Sequence, residues 1–459
     1  MDSHWSPPIV PNAIKKRTTP IITMTDSVNN LSRRTFLQTG LGAGAVAWAS
    51  IAFGAKSVSG KNALPGALER QSASTQFLEN EVDVLVVGGG TAGHVAAIQA
   101  ARAGAKTLLV ERSSMLGGTM TLGGVAWPGI FHAWGKQIIG GFGWELVKKA
   151  AEFDGDPIPD FTVPYEGRKH WQHQIRINQH LYALLAEEAV LGAGAELCYY
   201  EFPAGIRAEP DGWIVATAGP GVCRTIRARQ LVDATGGADI AGMAGLARLR
   251  ENETQPGSIL YKTGSGFIPG RDKTRAIYVH GADSSSALTR TRDNQQARSS
   301  VLKRLRAIKE KTPEKAKLTH LQPEVSIRES WRIDAEYNVT VDDYRSGRKF
   351  PDAVCNAFYP VDLHTKTGVR PEQLSEGTVP TIPRRALIPK GGKNILVAGR
   401  SVGSDRLANS GFRVQAPCMA MGQAAGAIAV LAARKKCQPI DVPFGEVRAL
   451  LEQHGAIVP

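Results

Sequence analysis

The distribution of apolar residues predicts two short strands that are buried on both faces of a parallel sheet. Val82 to Val87 is almost wholly apolar, is too short for a globular helix and is followed by Gly88. The stretch AKTLLVE, Ala105 to Glu111, has the same character and ends in an acid. Between them, Ala92 to Ala103 is built from small residues, which predicts a helix packed closely against the sheet. The pattern therefore predicts a β-α-β unit and an α/β fold class.

A glycine turn joins the first strand to this helix with the spacing G-x-G-x-x-G. Its first glycine allows a tight turn, its second lets backbone N–H groups approach a pyrophosphate, and its third lets the helix pack against its strand. Glu111 ends the second strand, where a carboxylate accepts hydrogen bonds from ribose hydroxyls and would repel a 2′-phosphate. The unit predicts an FAD or NAD site rather than an NADP site, the alternative being a glycine turn without a ligand. The predicted contacts of this unit are Gly88, Gly90, Thr91, Ala92, Gly93, Glu111 and Arg112.

Composition and charge narrow the possible functions. The chain has 459 residues, 42% of them apolar and 21% charged, which is ordinary for a soluble globular protein of two or more domains. The net charge of +13 comes from basic residues that are scattered along the chain, so no nucleic-acid partner is expected. The 5 cysteines are far apart and form no C-x-x-C motif, so iron–sulfur ligation and a redox-active disulfide are not expected. No metal site is predicted.

The N-terminal segment resembles a twin-arginine export signal. Arg33 and Arg34 precede an uncharged stretch, Thr35 to Ala55, which is followed by small residues suited to cleavage. Residues 1–60 are therefore predicted to be a signal peptide and linker, with Met24 as an alternative start. The resemblance implies a periplasmic or secreted protein that engages the twin-arginine translocon; an uncleaved membrane anchor is the alternative.

Three later segments bear on the choice between FAD and NAD. Ser113 to Gly124 (SSMLGGTMTLGG) has paired glycines that suit a loop running along a cofactor. Arg227 to Gly245 ends a predicted β-meander in a buried strand and an A-T-G-G turn. Asn394 to Ala433 is a strand, a glycine turn and, after Pro417, a helix rich in glycine and alanine.

By these segments the chain resembles the FAD-dependent oxidoreductase family of glutathione-reductase-like flavoproteins, related to fumarate-reductase flavoproteins and to the flavoprotein subunit of heterodisulfide reductase. The resemblance runs from about residue 80 to about residue 435. It implies FAD, and no second complete glycine motif is present for an NAD domain. It also implies a Rossmann-like FAD-binding domain with a parallel sheet and β-meander, plus an inserted α+β cap or substrate domain. The expected divisions are 1–60 for the signal, 78–245 and 381–435 for the FAD-binding domain, 246–380 for the cap, and 436–459 for the tail.

The resemblance implies further cofactor contacts. Asp405 is the candidate acid near the ribityl–pyrophosphate chain, and the helix beginning near Pro417 is expected to aim its N-terminus at the flavin pyrimidine ring. The same helix is also read as a tightly packed core helix, and the two interpretations are compatible. Met115 and Leu116 stand where relatives with covalent FAD carry histidine, so non-covalent FAD is expected. The further predicted contacts are Gly117, Gly118, Thr119, Ala234, Thr235, Gly236, Gly399, Arg400, Asp405, Gln415 and Ala416.

The predicted cap contains the candidate catalytic residues. Arg290 to Lys311 reads as a charged amphipathic helix with a solvated basic face. Arg328, Glu329 and Arg332 match an R-E-S-x-R pattern of the family, the alternative being an ion-pair network that supports the cap. Asp362 also matches a family feature, because it lies two residues before His364 on one face of an extended segment.

His364 is the leading candidate for proton transfer beside the flavin, and His132 is the second. Arg384 and Arg413 are predicted to clamp an anionic or polar substrate, with flavin-phosphate or interdomain contacts as alternatives. The predicted catalytic set is His364, His132, Arg328, Arg384 and Arg413.

These features together predict an exported FAD-dependent oxidoreductase that moves a hydride between a small polar organic substrate and flavin N5. The other half-reaction would use a quinone, a cytochrome, oxygen or a second substrate. Two alternatives stay open at this point: a redox-neutral flavoenzyme, either an isomerase or a lyase, and a non-catalytic flavin-binding subunit of a periplasmic electron-transfer complex.

Overall fold

The central sheet is parallel over most of its width and carries an antiparallel meander at one side. We describe it from a computed structural model, which covers residues 75–158, 160, 162, 173–264, 273–369 and 371–459. The predicted twin-arginine segment lies outside these residues. The helices of the described residues are α1 (Gly93–Arg102), α2 (Phe142–Asp154), α3 (Gln179–Gly192), α4 (Asp239–Met243), α5 (Ala287–Lys311), α6 (Val341–Ser346), α7 (Arg406–Phe412), α8 (Gln415–Lys435) and α9 (Phe444–Gln453).

The strands are numbered in chain order. Most are short, and the longest belong to the central sheet. They are β1 (Gln76–Val87), β2 (Thr107–Glu111), β3 (His132–Ala133), β4 (Lys136–Gln137), β5 (Glu196–Tyr199), β6 (Phe202–Glu209), β7 (Gly212–Gly219), β8 (Val222–Asp233), β9 (Arg248–Leu249), β10 (Gly257–Gly264), β11 (Lys273–Val279), β12 (Lys317–Leu321), β13 (Arg332–Ile333), β14 (Ala353–Asn356), β15 (His364–Thr365), β16 (Gly368–Val369), β17 (Thr381–Pro383) and β18 (Ile395–Val397). Short 3-10 turns lie at Pro313–Lys315, Arg384–Leu387 and Pro439–Asp441.

Within the described residues the central sheet has seven strands in the order β5-β2-β1-β8-β7-β6, with β18 paired to the last part of β8. Strands β5, β2, β1, β8 and β18 are parallel, whereas β6, β7 and β8 form an antiparallel meander. The predicted α/β fold with a parallel sheet and a β-meander is confirmed.

The carboxyl ends of the parallel strands meet at one edge of the sheet. Val87 lies opposite both Val110 and Asp233, and Asp233 lies opposite Val397 in the parallel register. Loops that follow these strands therefore converge, which is where ligands bind in open α/β sheets.

Helices α1 and α8 cross closely because glycines in α8 leave room for the backbone of α1. A Cβ at Gly422 would lie 2.1 Å from the carbonyl oxygen of Ala92, and one at Gly426 would lie 2.4 Å from that of Ala96. Helix α8 begins at Gln415, two residues before the predicted start near Pro417. In length and apolar content it could cross a membrane, but 94% of its most apolar window is buried inside the protein, as in a core helix.

Strands β11, β10 and β12 form a second, antiparallel sheet. In the sequence these strands come after β8 and before β18, which both belong to the central sheet. Helix α5 packs on the antiparallel sheet through Ala297 and Val301, which join Ile259 and Tyr261 in one apolar cluster. Ser286 caps α5 with a reciprocal capping box, so the helix begins three residues before the predicted start at Arg290. We refer to this sheet and helix as the cap; the domain boundaries given above stay a prediction.

Candidate active site

The glycine turn after β1 leaves open space at one of its three motif glycines. A Cβ at Gly88 would lie 2.6 Å from the carbonyl oxygen of Ala234, and Gly88 has a φ of +98°. A Cβ at Gly93 would lie 1.8 Å from the carbonyl oxygen of Gly88. At Gly90 the nearest atom to such a Cβ would be 4.0 Å away. Gly88 and Gly93 are thus required by packing, whereas Gly90 gives a ligand close access to the backbone.

Glu111 ties this turn to the end of β2. Its Oε2 accepts a hydrogen bond from the Gly89 N–H at 2.7 Å, and its Oε1 accepts one from the Ser113 N–H at 2.8 Å. The side chain is buried at the strand-end edge where a ribose is expected. The carboxylate therefore lies at its predicted place, and a ribose hydroxyl would share it with these two amides.

The loop after β2 lies against the glycine turn. The Gly117 N–H donates to the Gly89 carbonyl oxygen at 2.9 Å, and Thr91 Oγ1 donates to the Gly117 carbonyl oxygen at 3.3 Å. A Cβ at Gly118 would lie 3.0 Å from the Cα of Gly90. The paired glycines predicted to run along the cofactor therefore do lie beside the turn.

Asp233, which the sequence analysis did not single out, shapes the A-T-G turn after β8. Its Oδ1 accepts hydrogen bonds from the Thr235 N–H at 3.1 Å and the Thr235 hydroxyl at 2.7 Å, and its Oδ2 accepts one from the Ala241 N–H at 3.0 Å. Burial, reinforced by the charge of Asp239, raises the pKa of Asp233 to about 6. The signal for this role was its place as the last residue of a buried parallel strand.

Arg400 connects the strand-end edge to the cap. Its Nε donates to the Gly236 carbonyl oxygen at 2.8 Å, and its Nη1 donates to the Ile327 carbonyl oxygen at 2.9 Å and to Thr119 Oγ1 at 3.4 Å. Burial and the positive charge of Arg290 lower the pKa of Arg400 to about 10, so the group remains protonated at neutral pH. Three predicted cofactor residues, Thr119, Gly236 and Arg400, therefore form one contact.

Other predicted contacts have roles that differ from those expected. Asp405 caps α7 through the Ala408 N–H at 2.7 Å and accepts from the Val341 N–H at 2.6 Å, so each carboxylate oxygen already binds a backbone amide. A role for Asp405 along the ribityl chain is not supported by these contacts. Arg112 forms a half-exposed ion pair with Glu324 at 2.9 Å.

The start of α8 is also partly occupied. The Ala416 N–H donates to the Pro128 carbonyl oxygen at 2.7 Å, Pro417 has no N–H, and Gln415 Nε2 donates to the Val125 carbonyl oxygen at 2.8 Å. The positive end of the helix dipole remains, but these groups of the first turn hold the loop of Val125 and Pro128.

A polar cluster lies where the cap meets the residues before α8. His364 Nε2 lies 3.0 Å from Asp362 Oδ2, and an Arg413 nitrogen lies 3.7 Å from the same oxygen. Arg328 donates to the Ser258 hydroxyl at 2.8 Å and stacks 5.2 Å from the ring centre of Tyr278. The structure thus brings together three of the five predicted catalytic residues.

The surroundings of His364 favour its neutral form. Burial lowers its pKa and outweighs the opposing effect of Asp362, and the positive charges of Arg328 and Arg413 lower it further. Since Nε2 faces a carboxylate oxygen, the tautomer with the proton on Nε2 is the one that satisfies this contact. The Nδ1 atom is buried and has no hydrogen-bond partner among the described residues. A lone pair on Nδ1 is therefore available to accept a proton.

The arginines of the cluster are desolvated. Burial, followed by the charge of Arg413, lowers the pKa of Arg328 to about 10, so the Arg328 guanidinium stays charged at neutral pH. Arg413 Nε has no hydrogen-bond partner among the residues that the structure describes. Arg328 and Arg413 are two neighbouring cations that share one carboxylate, Asp362. The three side chains together therefore present a net positive charge to a substrate.

A buried network lies behind this cluster, and the sequence analysis missed one of its members, Gln255. Glu329 accepts hydrogen bonds from Arg406 at 2.8 Å and from the Gln255 side chain at 2.9 Å. The Oε1 atom of Gln255 in turn accepts from the His364 N–H at 3.0 Å and from Arg413 at 3.4 Å. Gln255 carries no sequence motif, so only the fold shows its position.

The residues of the R-E-S-x-R pattern therefore divide between two roles: some form the ion-pair network that was the alternative, and one faces the candidate site. Arg332 pairs with Glu251 at 2.7 Å and Glu329 pairs with Arg406 at 2.8 Å, as the ion-pair network predicts. Arg328 instead faces the polar cluster.

The last two catalytic candidates make other contacts. Arg384 donates to the Val442 carbonyl oxygen and stacks 5.8 Å from the ring centre of Phe444, so it holds the C-terminal segment and its contacts do not support a substrate clamp. His132 is buried, and its ring lies 5.6 Å from that of His173. Burial and His173 lower the pKa of His132 to about 4, which keeps it neutral.

The fold and the strand-end site define a protein built to bind an adenine dinucleotide. Comparison with known proteins gives the family: the profile of FAD dependent oxidoreductases matches residues 83–257 and 248–451. The chain belongs to this family.

Curated relatives match over short stretches. Fumarate reductase (cytochrome) of Shewanella frigidimarina is 44% identical over 69 residues, which is 15% of this chain and 12% of that protein. Dihydrolipoyl dehydrogenase of Trypanosoma brucei brucei is 49% identical over 55 residues, 12% of each chain. The chain therefore spans about an eighth of the length of these curated relatives.

Solved structures resemble the protein over a longer span but less closely. A geranylgeranyl bacteriochlorophyll reductase-like protein from Thermoplasma acidophilum is 14% identical over 82% of this chain and 83% of that chain, with a TM-score of 0.41. The p-nitrophenol 4-monooxygenase of Pseudomonas putida is 12% identical over 82% and 87%, with a TM-score of 0.36. The family assignment rests on the profile match.

The residues at the strand ends fit FAD. Gly90 leaves open space for a pyrophosphate, Glu111 lies where a ribose binds, and the Arg400 cation lies between the A-T-G turn and Thr119. These residues would hold the dinucleotide, and the arginine would balance the charge of its phosphates.

Proposed function

We propose that the protein oxidises a small polar organic substrate by moving a hydride from a hydroxyl-bearing carbon to FAD, with His364 as the base. The observation that carries this proposal is the placement of His364, which is oriented by Asp362 and lies beside Arg328 and Arg413. Bound FAD supplies a hydride acceptor at N5. The cluster supplies the proton acceptor and the positive charge.

His364 would take the proton of the substrate hydroxyl on Nδ1. Asp362 would hold the Nε2–H and stabilise the imidazolium that forms. The substrate C–H bond breaks, and its hydrogen leaves with both bonding electrons as a hydride. The O–H proton passes to His364, and the product is a carbonyl compound. The proton and the two electrons are thus accounted for between His364 and the flavin.

Arg328 and Arg413 would stabilise the substrate oxygen as its proton leaves. Guanidinium groups in a desolvated site are strong donors to a developing negative charge. Gln255 would keep Arg413 and His364 in place, because its Oε1 accepts hydrogen bonds from both, and Glu329 would in turn hold the Gln255 side chain.

The chain itself connects this cluster to the cofactor residues. Arg413 lies two residues before Gln415, and Arg328 follows Ile327, whose carbonyl oxygen accepts a hydrogen bond from Arg400. This adjacency supports a reaction between a substrate at the cluster and a flavin held at the strand ends.

The test is an anaerobic absorbance titration of the full-length, flavin-loaded protein with sugars, hydroxy acids, amino acids and steroids. We expect one class to bleach the flavin. The Arg328→Met variant should need about tenfold or more substrate for half-maximal bleaching, while Arg306→Met, exposed on α5, should behave as wild type. If no compound bleaches the flavin, and chemically reduced protein is reoxidised by an unsaturated acid, the enzyme is a reductase and the proposal fails.

Export is proposed separately, on Arg33 and Arg34 and the uncharged stretch after them. Fusing residues 1–60 to a reporter should direct it across the membrane through the twin-arginine translocon, and Arg33→Lys with Arg34→Lys should retain it inside. Unchanged export of the double variant would contradict the proposal.

A further inference from the structure

A cavity of about 450 Å³ lies between the cap and the residues around the start of α3. Its walls come from the loop at Gly124–Trp127, the residues at the start of α3, and strands β10 and β12 of the cap. The volume falls in the range of about 300–1,000 Å³ that is typical of small-molecule sites. His364, Arg328 and Arg413 do not line it, so this cavity is separate from the polar cluster.

Among the described residues, the cavity wall carries opposite charges in equal number. Asp154 and Asp156 supply two carboxylates, and Arg176 and Lys262 supply two cations. The formal charges of these four side chains cancel. This balance differs from the polar cluster, where two arginines share one carboxylate, and it favours an uncharged ligand.

A chain of hydrogen-bonding side chains crosses the cavity wall from α3 to the cap. Gln322 Nε2 lies 3.3 Å from Gln179 Oε1 and 3.0 Å from His320 Nε2, and Gln179 Nε2 lies 3.3 Å from His180 Nε2. The rings of His180 and His320 meet edge to face at 5.6 Å.

Gln322 shows that this wall is built rather than incidental. The side chain is 4% exposed, and its Oε1 atom has no hydrogen-bond partner among the described residues. Gly124 makes room for it, because a Cβ at Gly124 would lie 2.0 Å from the Gln322 amide. A buried amide oxygen without a partner is costly, and sites that keep one are candidates for ligand contact.

Aromatic residues complete the lining. Trp127 and Tyr261 lie beside these amides and imidazoles, and Tyr261 is buried while Trp127 is half-buried. Hydroxyl groups act as both donors and acceptors, which matches amides and histidines, and the C–H face of a sugar ring packs on aromatic rings. The mixture is suited to a polyhydroxylated ring rather than to a fatty or strongly ionic molecule.

Strand β10 runs from the polar cluster into the cavity. Ser258 contacts Arg328, and Leu260 and Lys262 line the cavity on the same strand. Four residues of extended strand span about 13 Å. We infer that the cavity binds a neutral, polyhydroxylated ring, such as a pyranose, as the distal part of the substrate whose reacting carbon lies at His364. This inference rests on the proposed function.

The test is isothermal titration of the full-length, flavin-loaded protein with the neutral disaccharides maltose and cellobiose, and with glucuronate and succinate as anionic probes. We expect a neutral disaccharide to bind wild type. Gln322→Leu and Trp127→Ala should each weaken that binding by about tenfold or more, because each removes direct ligand contacts. The control is Gln296→Leu, an exposed glutamine of α5, which should bind within about twofold of wild type.

Several results would overturn the inference. The first is that no saccharide binds to wild type. The second is that a saccharide binds but neither cavity variant weakens its binding. The third is that succinate binds, both variants weaken its binding, and no saccharide binds. Flavin absorbance and far-ultraviolet circular dichroism establish that each variant is folded and loaded. The flavin signal also separates the two proposals: saccharide binding without bleaching removes the proposed reaction, whereas bleaching by a non-saccharide without saccharide binding removes only the cavity ligand.

Discussion

Asp362 Oδ2 lies 3.0 Å from His364 Nε2, and a single leucine separates the two residues in the sequence. Their side chains share one face because the segment that enters β15 is extended, and the period of such a segment is two residues. The pairing fixes the imidazole tautomer and leaves Nδ1 without a partner among the described residues. This geometry is the basis of the catalytic predictions.

Replacing His364 by Gln should lower kcat by about 100-fold to 10,000-fold, the usual contribution of a positioned general base. The flavin should stay bound, since His364 lies in the polar cluster and not at the strand ends. Single-turnover flavin reduction by stopped flow, with the substrate class found by titration, measures this step directly. His280→Gln, at an exposed histidine, is the matched control. Turnover that survives in the flavin-loaded His364→Gln variant would remove this residue from the mechanism.

The pH profile should move in opposite directions in two variants. The reaction needs neutral His364, so kcat/KM should fall as the pH drops through the His364 pKa, which burial places below the ordinary value. The Asp362 carboxylate raises that pKa, so Asp362→Asn should move the acid limb to lower pH. The Arg328 charge lowers it, so Arg328→Met should move the limb to higher pH. Limbs that stay in place, or move together, would show that another group titrates.

Much of the fold was readable from the sequence because its signals are local. A buried run of apolar residues, a glycine turn and a terminal acid are set within one β-α-β unit, and the structure places Gly88, Gly90 and Glu111 around one turn as expected. Alternation of side chains likewise predicted that Asp362 and His364 share a face.

Contacts between distant segments were not readable. Arg384 was predicted as a substrate clamp because arginine binds carboxylates, and Asp405 as a cofactor contact because of the family resemblance. In the structure Arg384 holds Val442 and Asp405 caps a helix. Gln255 reaches His364 across 109 positions of sequence. Such pairings depend on how the cap folds back onto the sheet, and no periodicity within either segment encodes them.

The glycines of the dinucleotide turn should respond differently to substitution by alanine. Gly90→Ala should weaken FAD binding, because the added Cβ enters the open space that the pyrophosphate would occupy. The stability of the apoprotein should change little, since no protein atom lies close to that Cβ. Gly93→Ala should destabilise the apoprotein itself by about 1–3 kcal/mol or more, since its Cβ would lie against the Gly88 carbonyl. Flavin fluorescence titration and urea unfolding of the apoprotein separate the two effects. Equal losses of stability in both variants would contradict the assignment of Gly90 to ligand access.

The helix crossing of α1 and α8 makes a second comparison of glycines possible. Gly422→Ala should lower the free energy of unfolding by about 1–3 kcal/mol, because the added methyl group meets the Ala92 carbonyl at the start of α1. Gly445→Ala in α9 is the control: nothing lies within 4 Å of its Cβ position, and alanine favours a helix over glycine by up to about 1 kcal/mol. Urea unfolding should therefore give changes of opposite sign, and a stabilising Gly422→Ala would show that α1 and α8 do not cross so closely.

His94 should make the protein less stable in mild acid. Its Nδ1 lies 2.8 Å from the Gly90 carbonyl oxygen and its Nε2 lies 2.9 Å from the Tyr182 hydroxyl, and burial lowers its pKa from 6.5 to about 4. Because the folded-state pKa is the lower one, the unfolded chain takes up the proton first. The stability is therefore complete above the unfolded pKa and is lost as the pH falls from 6.5 towards 4.

This single histidine should cost roughly 2 kcal/mol of unfolding free energy between pH 7 and pH 5. His94→Gln should reduce the pH-dependent fall by about that amount, even if it lowers stability at both pH values, because only the difference is compared. His280→Gln should leave the fall unchanged, since that histidine is exposed. Urea unfolding at the two pH values gives the comparison. A His94→Gln protein that loses as much stability as wild type would mean that His94 is not held neutral, and that the hydrogen bonds linking Tyr182 to the glycine turn do not form as described.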